Sequence, residues 1–106
     1  MNKEKIHQIV SEHPVVLFMK GTKHFPTCGF SGRAAQVLKA CGVDFFDVNV
    51  LAEPNTVPEL REYADWPTVP VCYIRGELIG GSDILLEMYQ SGELQQKLGD
   101  LMKPTS

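Results

Sequence analysis

A chain of 106 residues with 10 Lys+Arg against 13 Asp+Glu, a formal charge of −3, has the length of one domain and no room for a second. Its 43% apolar and 22% charged content argues against disorder or fibrous repeats, and no apolar run approaches the roughly 20 residues of a membrane span. The opening Met1-Asn2-Lys3-Glu4-Lys5 lacks the apolar core of a secretory signal, interspersed charge leaves no basic stripe for nucleic acid, and three cysteines cannot build a disulfide framework, so a cytoplasmic domain with reduced thiols is expected.

Elements of two periods alternate along the chain. A helix is expected from about Asn2 to Glu12, with Ile6, Ile9 and Val10 on one stripe. His13-Pro14 closes it, because the residue before a proline avoids helical dihedrals. The run Val15 to Met19 reads as a buried central strand. A polar loop, Thr22 to Thr27, precedes a second helix whose inner stripe is read as Phe30, Ala34, Val37, Leu38 and Cys41, with Gly42 as its C-cap. Phe45 to Val50 forms a second strand and about Pro54 to Ala64 a third helix. Val71 to Ile74 and Glu77 to Ile79 flank Arg75-Gly76, a tight hairpin signal. Ser82-Asp83 could cap a helix carrying Ile84, Leu85, Met88 and Tyr89, and a last helix carries Leu94, Leu98 and Leu101.

The order α-β-α-β-α-β-β-α-α implies parallel pairing of the first two strands across a helical crossover, and an antiparallel final hairpin. An α/β fold with a mixed four-stranded sheet flanked by helices follows, which is a thioredoxin-like arrangement.

Cys28 is the leading chemical candidate. It stands where a loop enters a helix, so free backbone N–H groups and the positive end of the helix dipole favour its thiolate. Lys20, at the end of the preceding strand, adds a positive charge. Three residues on stands Ser31, where a dithiol oxidoreductase needs a resolving cysteine. A hydroxyl can hydrogen-bond a thiolate but cannot exchange disulfides, so the dithiol mechanism is excluded and any redox cycle needs an external thiol such as glutathione.

With Met19-Lys20-Gly21-Thr22, Cys28-Gly29-Phe30-Ser31, Trp66-Pro67-Thr68-Val69-Pro70 and Gly80-Gly81-Ser82-Asp83-Ile84 in this order, the chain resembles the monothiol glutaredoxins of the single-domain CGFS class over nearly its whole length. Pro70, at the start of a central strand, fits a cis peptide after Val69. The resemblance implies that Thr68 and Val69 dock a thiol peptide before that proline. It also implies that Gly81, Ser82 and Asp83, at a helix N-terminus suited to a carboxylate, hold the γ-glutamyl end of glutathione. Lys20 and Arg61 are implied for its glycine carboxylate, although a solvated helix charge is the simpler reading of Arg61.

Three positions depart from the family pattern. Ser82 stands where many relatives have a cysteine, which removes an internal disulfide with Cys28. Val57 replaces a basic residue, and Val71 the usual glutamine. Cys41 and Cys72 read as small buried hydrophobes. His7, His13 and His24 have no mutual ligand spacing, and His24 reads as solvent-facing. Trp66 reads as packing that could also shape a groove wall.

The resemblance implies a carrier: one [2Fe–2S] cluster, which usually takes four thiolates, held between two subunits by Cys28 of each and two glutathione thiolates. Such a protein is a homodimer when loaded and free to be a monomer when apo, with BolA-like proteins and apo iron–sulfur proteins as partners. The alternative is a glutathione-dependent monothiol–disulfide oxidoreductase. Against it, the resemblance associates the stretch Thr22-Lys23-His24-Phe25-Pro26 with poor activity. A bare interaction module without cofactor is the third reading.

Overall fold

The structure, a computed structural model, describes residues 1–102. Helix α1, Lys3–Glu12, is capped by Asn2, whose side chain accepts the Lys5 N–H at 2.9 Å. Strand β1, Val15–Met19, is followed by α2, Gly29–Ala40, strand β2, Phe46–Asn49, and α3, Thr56–Ala64. Strands β3, Val71–Ile74, and β4, Glu77–Gly80, form the hairpin, and α4, Ser82–Ser91, and α5, Glu93–Leu98, complete the chain with a 3-10 turn at Gly99–Leu101. The sheet order is β2-β1-β3-β4, with β1 parallel to β2 and antiparallel to β3. The expected mixed four-stranded sheet between helices is therefore the observed one. No described helix is long and apolar enough to cross a membrane.

All five β1 side chains are buried, and the period of two splits them between two cores. Val15, Leu17 and Met19 pack with Ala34 and Leu38 of α2 and Leu85 and Met88 of α4. Val16 and Phe18 pack on the other face with Ile6 and Ile9 of α1 and Leu60 of α3. At roughly 1.5–3 kcal/mol for each large apolar side chain removed from water, this strand fixes the centre of the fold. Lys20 follows directly on its buried C-terminal end.

Several boundaries differ from the sequence reading, each for a local reason. The second strand pairs only over Phe46–Asn49, although Phe45 and Val50 are buried beside it. The third helix begins at Thr56, because Asn55 takes a left-handed conformation (φ 65°) in which Pro54 cannot join it. Gly81, not Ser82-Asp83, is the N-cap of α4; Ser82 and Asp83 are its first helical residues, and no side chain caps it. The last helix stops at Leu98, since Gly99 adopts φ 51°, ψ −123°, a conformation that only glycine reaches readily. Arg75 and Gly76 both have positive φ (50° and 79°), the type I′ combination expected of a tight hairpin.

Candidate functional site

The segment between β1 and α2 is held at many points. Thr22 and Phe25 exchange backbone hydrogen bonds at 3.2 and 3.1 Å, and the Thr27 N–H returns to the Lys20 carbonyl at 3.1 Å. The Lys23 N–H donates to Asp47 at 2.8 Å, and its ammonium to the Phe45 carbonyl at 2.8 Å. Asn49 Oδ1 accepts both the Gly21 N–H, at 3.1 Å, and the Leu51 N–H, at 3.0 Å. The loop expected from its polar composition is thus fastened to the edge strand β2, and it delivers Cys28 to a fixed place.

Cys28 occupies the N-cap of α2 in an extended conformation (φ −140°, ψ 135°) and is partly exposed. Its thiol makes no capping hydrogen bond of its own. Its pKa is nevertheless lowered from the ordinary 9.0, first by the Ser31 N–H, then by the Phe30 N–H, the Ser31 hydroxyl and the Lys20 charge, against an opposing cost of burial. Ser31 is fully buried, and its Oγ accepts the Lys20 N–H at 3.0 Å. One serine therefore connects the strand end to the thiol. The other cysteines are buried with raised pKa values, that of Cys72 being pushed up to about 12 by desolvation.

Beside the start of α2 lies a groove of about 390 Å³. Thr68, Val69, Pro70, Gly81, Ser82 and Asp83 line it, with the Val69–Pro70 peptide cis. Phe30, Trp66 and Ile84 close it. Six residues expected from the sequence thus share one cleft. Cys28 itself, two residues before the groove-lining Phe30, does not line the groove, and neither does Lys20, whose charge acts on it. Arg61 is exposed on α3 and does not line the groove either; its carbonyl accepts the Asp65 and Trp66 N–H groups, the latter at 3.3 Å, and so sets where Trp66 leaves the helix. Val57 packs against a core, and Val71 is fully buried, so neither departure from the family pattern meets the cleft.

Phe30 is a correction. It is 58% exposed rather than part of the α2 core stripe, because Ser31 takes the inward position of that first turn. Only its apolar character beside Cys28 could have signalled a wall residue, and Ile84, 36% exposed, carried no separate signal.

The groove offers polar groups in want of a partner. Ser82, a groove residue, is 6% exposed. The Trp66 indole nitrogen is buried without an acceptor. The first N–H groups of α4 have no intrahelical partner. A Cβ on Gly81 would lie 3.1 Å from the Pro70 carbonyl oxygen, so the glycine keeps that stretch of wall bare. These donors suit a ligand with carboxylate or amide oxygens. A depression of about 490 Å³ on the other side of Ile84 carries Glu77, Glu87 and Glu93 but no thiol.

A mixed sheet, an activated cysteine at a helix start and a cis-proline wall define a thiol-dependent protein of the thioredoxin-like class. The glutaredoxin family model matches residues 15–79. A probable monothiol glutaredoxin 2 of Rickettsia typhi is 48% identical over 102 residues, 96% of this chain and 92% of that protein. Glutaredoxin 4 of Escherichia coli is 52% identical over 93 residues, 88% of this chain and 81% of its own. The solution structure of reduced apo GrxS14 from poplar superposes with a TM-score of 0.82 at 47% identity, covering 93% of this chain and 91% of that one. The chain belongs to the glutaredoxin family, in its monothiol branch.

Proposed function

We propose that this protein binds glutathione and carries one [2Fe–2S] cluster between two subunits, delivering it to apo iron–sulfur proteins in the cytoplasm. The observation that carries the reading is the isolation of Cys28. It is the one partly exposed, activated thiol, with serine at positions 31 and 82 where a second thiol would stand in its relatives or in a dithiol enzyme, and with Cys41 and Cys72 buried. Among the described residues no group of three or more His, Cys, Asp or Glu side chains could hold a metal. A cluster that usually takes four thiolates must then draw them from Cys28 of two chains and from small thiols. Thr68 and Val69, before Pro70, would dock the glutathione backbone; Gly81, Ser82 and Asp83 would take its γ-glutamyl end, with Lys20 and Arg61 facing its glycine carboxylate. Glutathione would supply the exchangeable half of the ligand set, which suits transfer. The loaded form is a homodimer, and BolA-like proteins are its expected partners.

The lowered pKa of Cys28 also supports a second reading, a glutathione-dependent monothiol oxidoreductase. The Cys28 thiolate would attack the glutathione sulfur of a mixed disulfide and release the protein thiolate. A second glutathione would then free Cys28 as oxidised glutathione forms.

Anaerobic reconstitution with iron, sulfide and glutathione separates the two. A coloured dimer that needs glutathione and is lost in Cys28→Ser supports the carrier. A colourless monomer that turns over glutathionylated substrate supports the enzyme.

A further inference from the structure

Among the described residues only two buried side-chain polar atoms lack a hydrogen-bond partner, Trp66 Nε1 and Gln95 Oε1. Gln95 is partly satisfied, because its Nε2 donates to the Tyr89 carbonyl at 3.2 Å. The Trp66 indole has a single polar atom and no such compensation. Buried indole N–H groups normally find an acceptor, so this one marks a place where an acceptor belongs. A residue without a side chain stands beside it in the groove lining: a Cβ on Gly81 would lie 3.8 Å from Nε1 and 3.1 Å from the Pro70 carbonyl oxygen. Any larger residue would wall the indole off. Trp66, Pro70, Gly81 and Ser82 line the same cleft.

We propose that Trp66 is a specificity-determining residue: its indole N–H donates to an oxygen of the peptide portion of a bound thiol, seated against Gly81. This rests on the glutathione reading above. Because Nε1 is covered in the free protein, ligand binding includes a small shift of the ring or of the glycine turn. The donor does nothing for a thiol that lacks peptide oxygens, so it discriminates between thiols at the same Cys28.

The test uses mixed disulfides of the intact chain. Oxidised glutathione is attacked by the Cys28 thiolate; the new S–S bond joins Cys28 to glutathione, and one glutathione thiolate leaves. Cystamine reacts likewise and leaves a cysteamine adduct with neither carboxylate nor amide. Since the chain has one tryptophan, its indole N–H gives a single NMR cross-peak. That peak is expected to move downfield in the glutathione adduct and not in the cysteamine adduct. If the amides of Thr68, Val69, Ser82 and Asp83 respond to glutathione while the indole does not, the role of Trp66 is overturned and the glutathione reading stands. If none of them responds, both fall. In Trp66→Phe, which keeps an aromatic ring and loses the donor, the preference for glutathione over cysteamine at exchange equilibrium is expected to drop about tenfold, equivalent to about 1.4 kcal/mol; an unchanged preference overturns the proposal. If this variant does not fold, the wild-type spectra decide alone.

Discussion

The Oγ of Ser31 accepts the backbone N–H of Lys20 at 3.0 Å, tying the end of β1 to the first turn of α2. With that lone pair engaged, the hydroxyl proton is available to the Cys28 sulfur, which stands three residues earlier at the N-cap. The serine that replaces a resolving cysteine is thus a structural link as well as a substitute.

Ser31→Ala removes both interactions. The Lys20 N–H is left partly buried without its acceptor, at a cost of about 1–3 kcal/mol in unfolding free energy. The Cys28 pKa rises toward 9.0, because the Ser31 hydroxyl is one of the causes lowering it. Alkylation of Cys28 by iodoacetamide followed against pH is expected to show a higher midpoint in the variant. The wild-type thiolate has a matching effect on stability. Its contribution is complete above the unfolded thiol's pKa and is lost as pH falls through the lowered native value.

The three thiols separate sharply in the native state. Near neutral pH one thiol per chain is expected to react promptly with a disulfide reagent, since Cys28 is partly exposed and activated whereas Cys41 and Cys72 are buried with raised pKa values. All three react after denaturation. Prompt reaction of two or more native thiols contradicts this placement.

Asn49 is expected to govern the order of the loop that leads from β1 to Cys28. Its Oδ1 receives two backbone N–H groups, from Gly21 and Leu51. In Asn49→Ala both lose their acceptor, and stability falls by about 1–3 kcal/mol. Hydrogen exchange should accelerate first over residues 21–27, with the β1–β3 ladder still protected.

Phe18 tests the core that supports the site. It is fully buried, edge-on to Tyr73 with centroids 6.0 Å apart. Phe18→Ala is expected to cost about 3–5 kcal/mol, seen as a lower urea midpoint.

The parts of this fold legible in the sequence are those set by short-range rules. The unbroken apolar run Val15 to Met19 placed the central strand, and a helix start after a polar loop singled out Cys28. Family likeness then pointed to Thr68, Val69, Pro70, Gly81, Ser82 and Asp83, which the fold gathers in one cleft. What escaped depends on three-dimensional context. The apolar period assigned Phe30 to the core, because spacing of apolar residues cannot tell that the polar Ser31 takes the inward position of the first helical turn. The orphan N–H of Trp66 is invisible until its neighbours are known. Polar composition marked residues 22–27 as a loop but could not show that Lys23 and Asn49 fasten it to β2.

The most direct test of the carrier reading is the composition of the coloured species isolated after anaerobic reconstitution. Iron, sulfide, glutathione and protein would be quantified on the dimer fraction. One glutathione for each chain, one cluster for each pair of chains, and loss of colour and dimer together in Cys28→Ser are expected. A cluster-loaded species free of glutathione, or one that persists in Cys28→Ser, would contradict it.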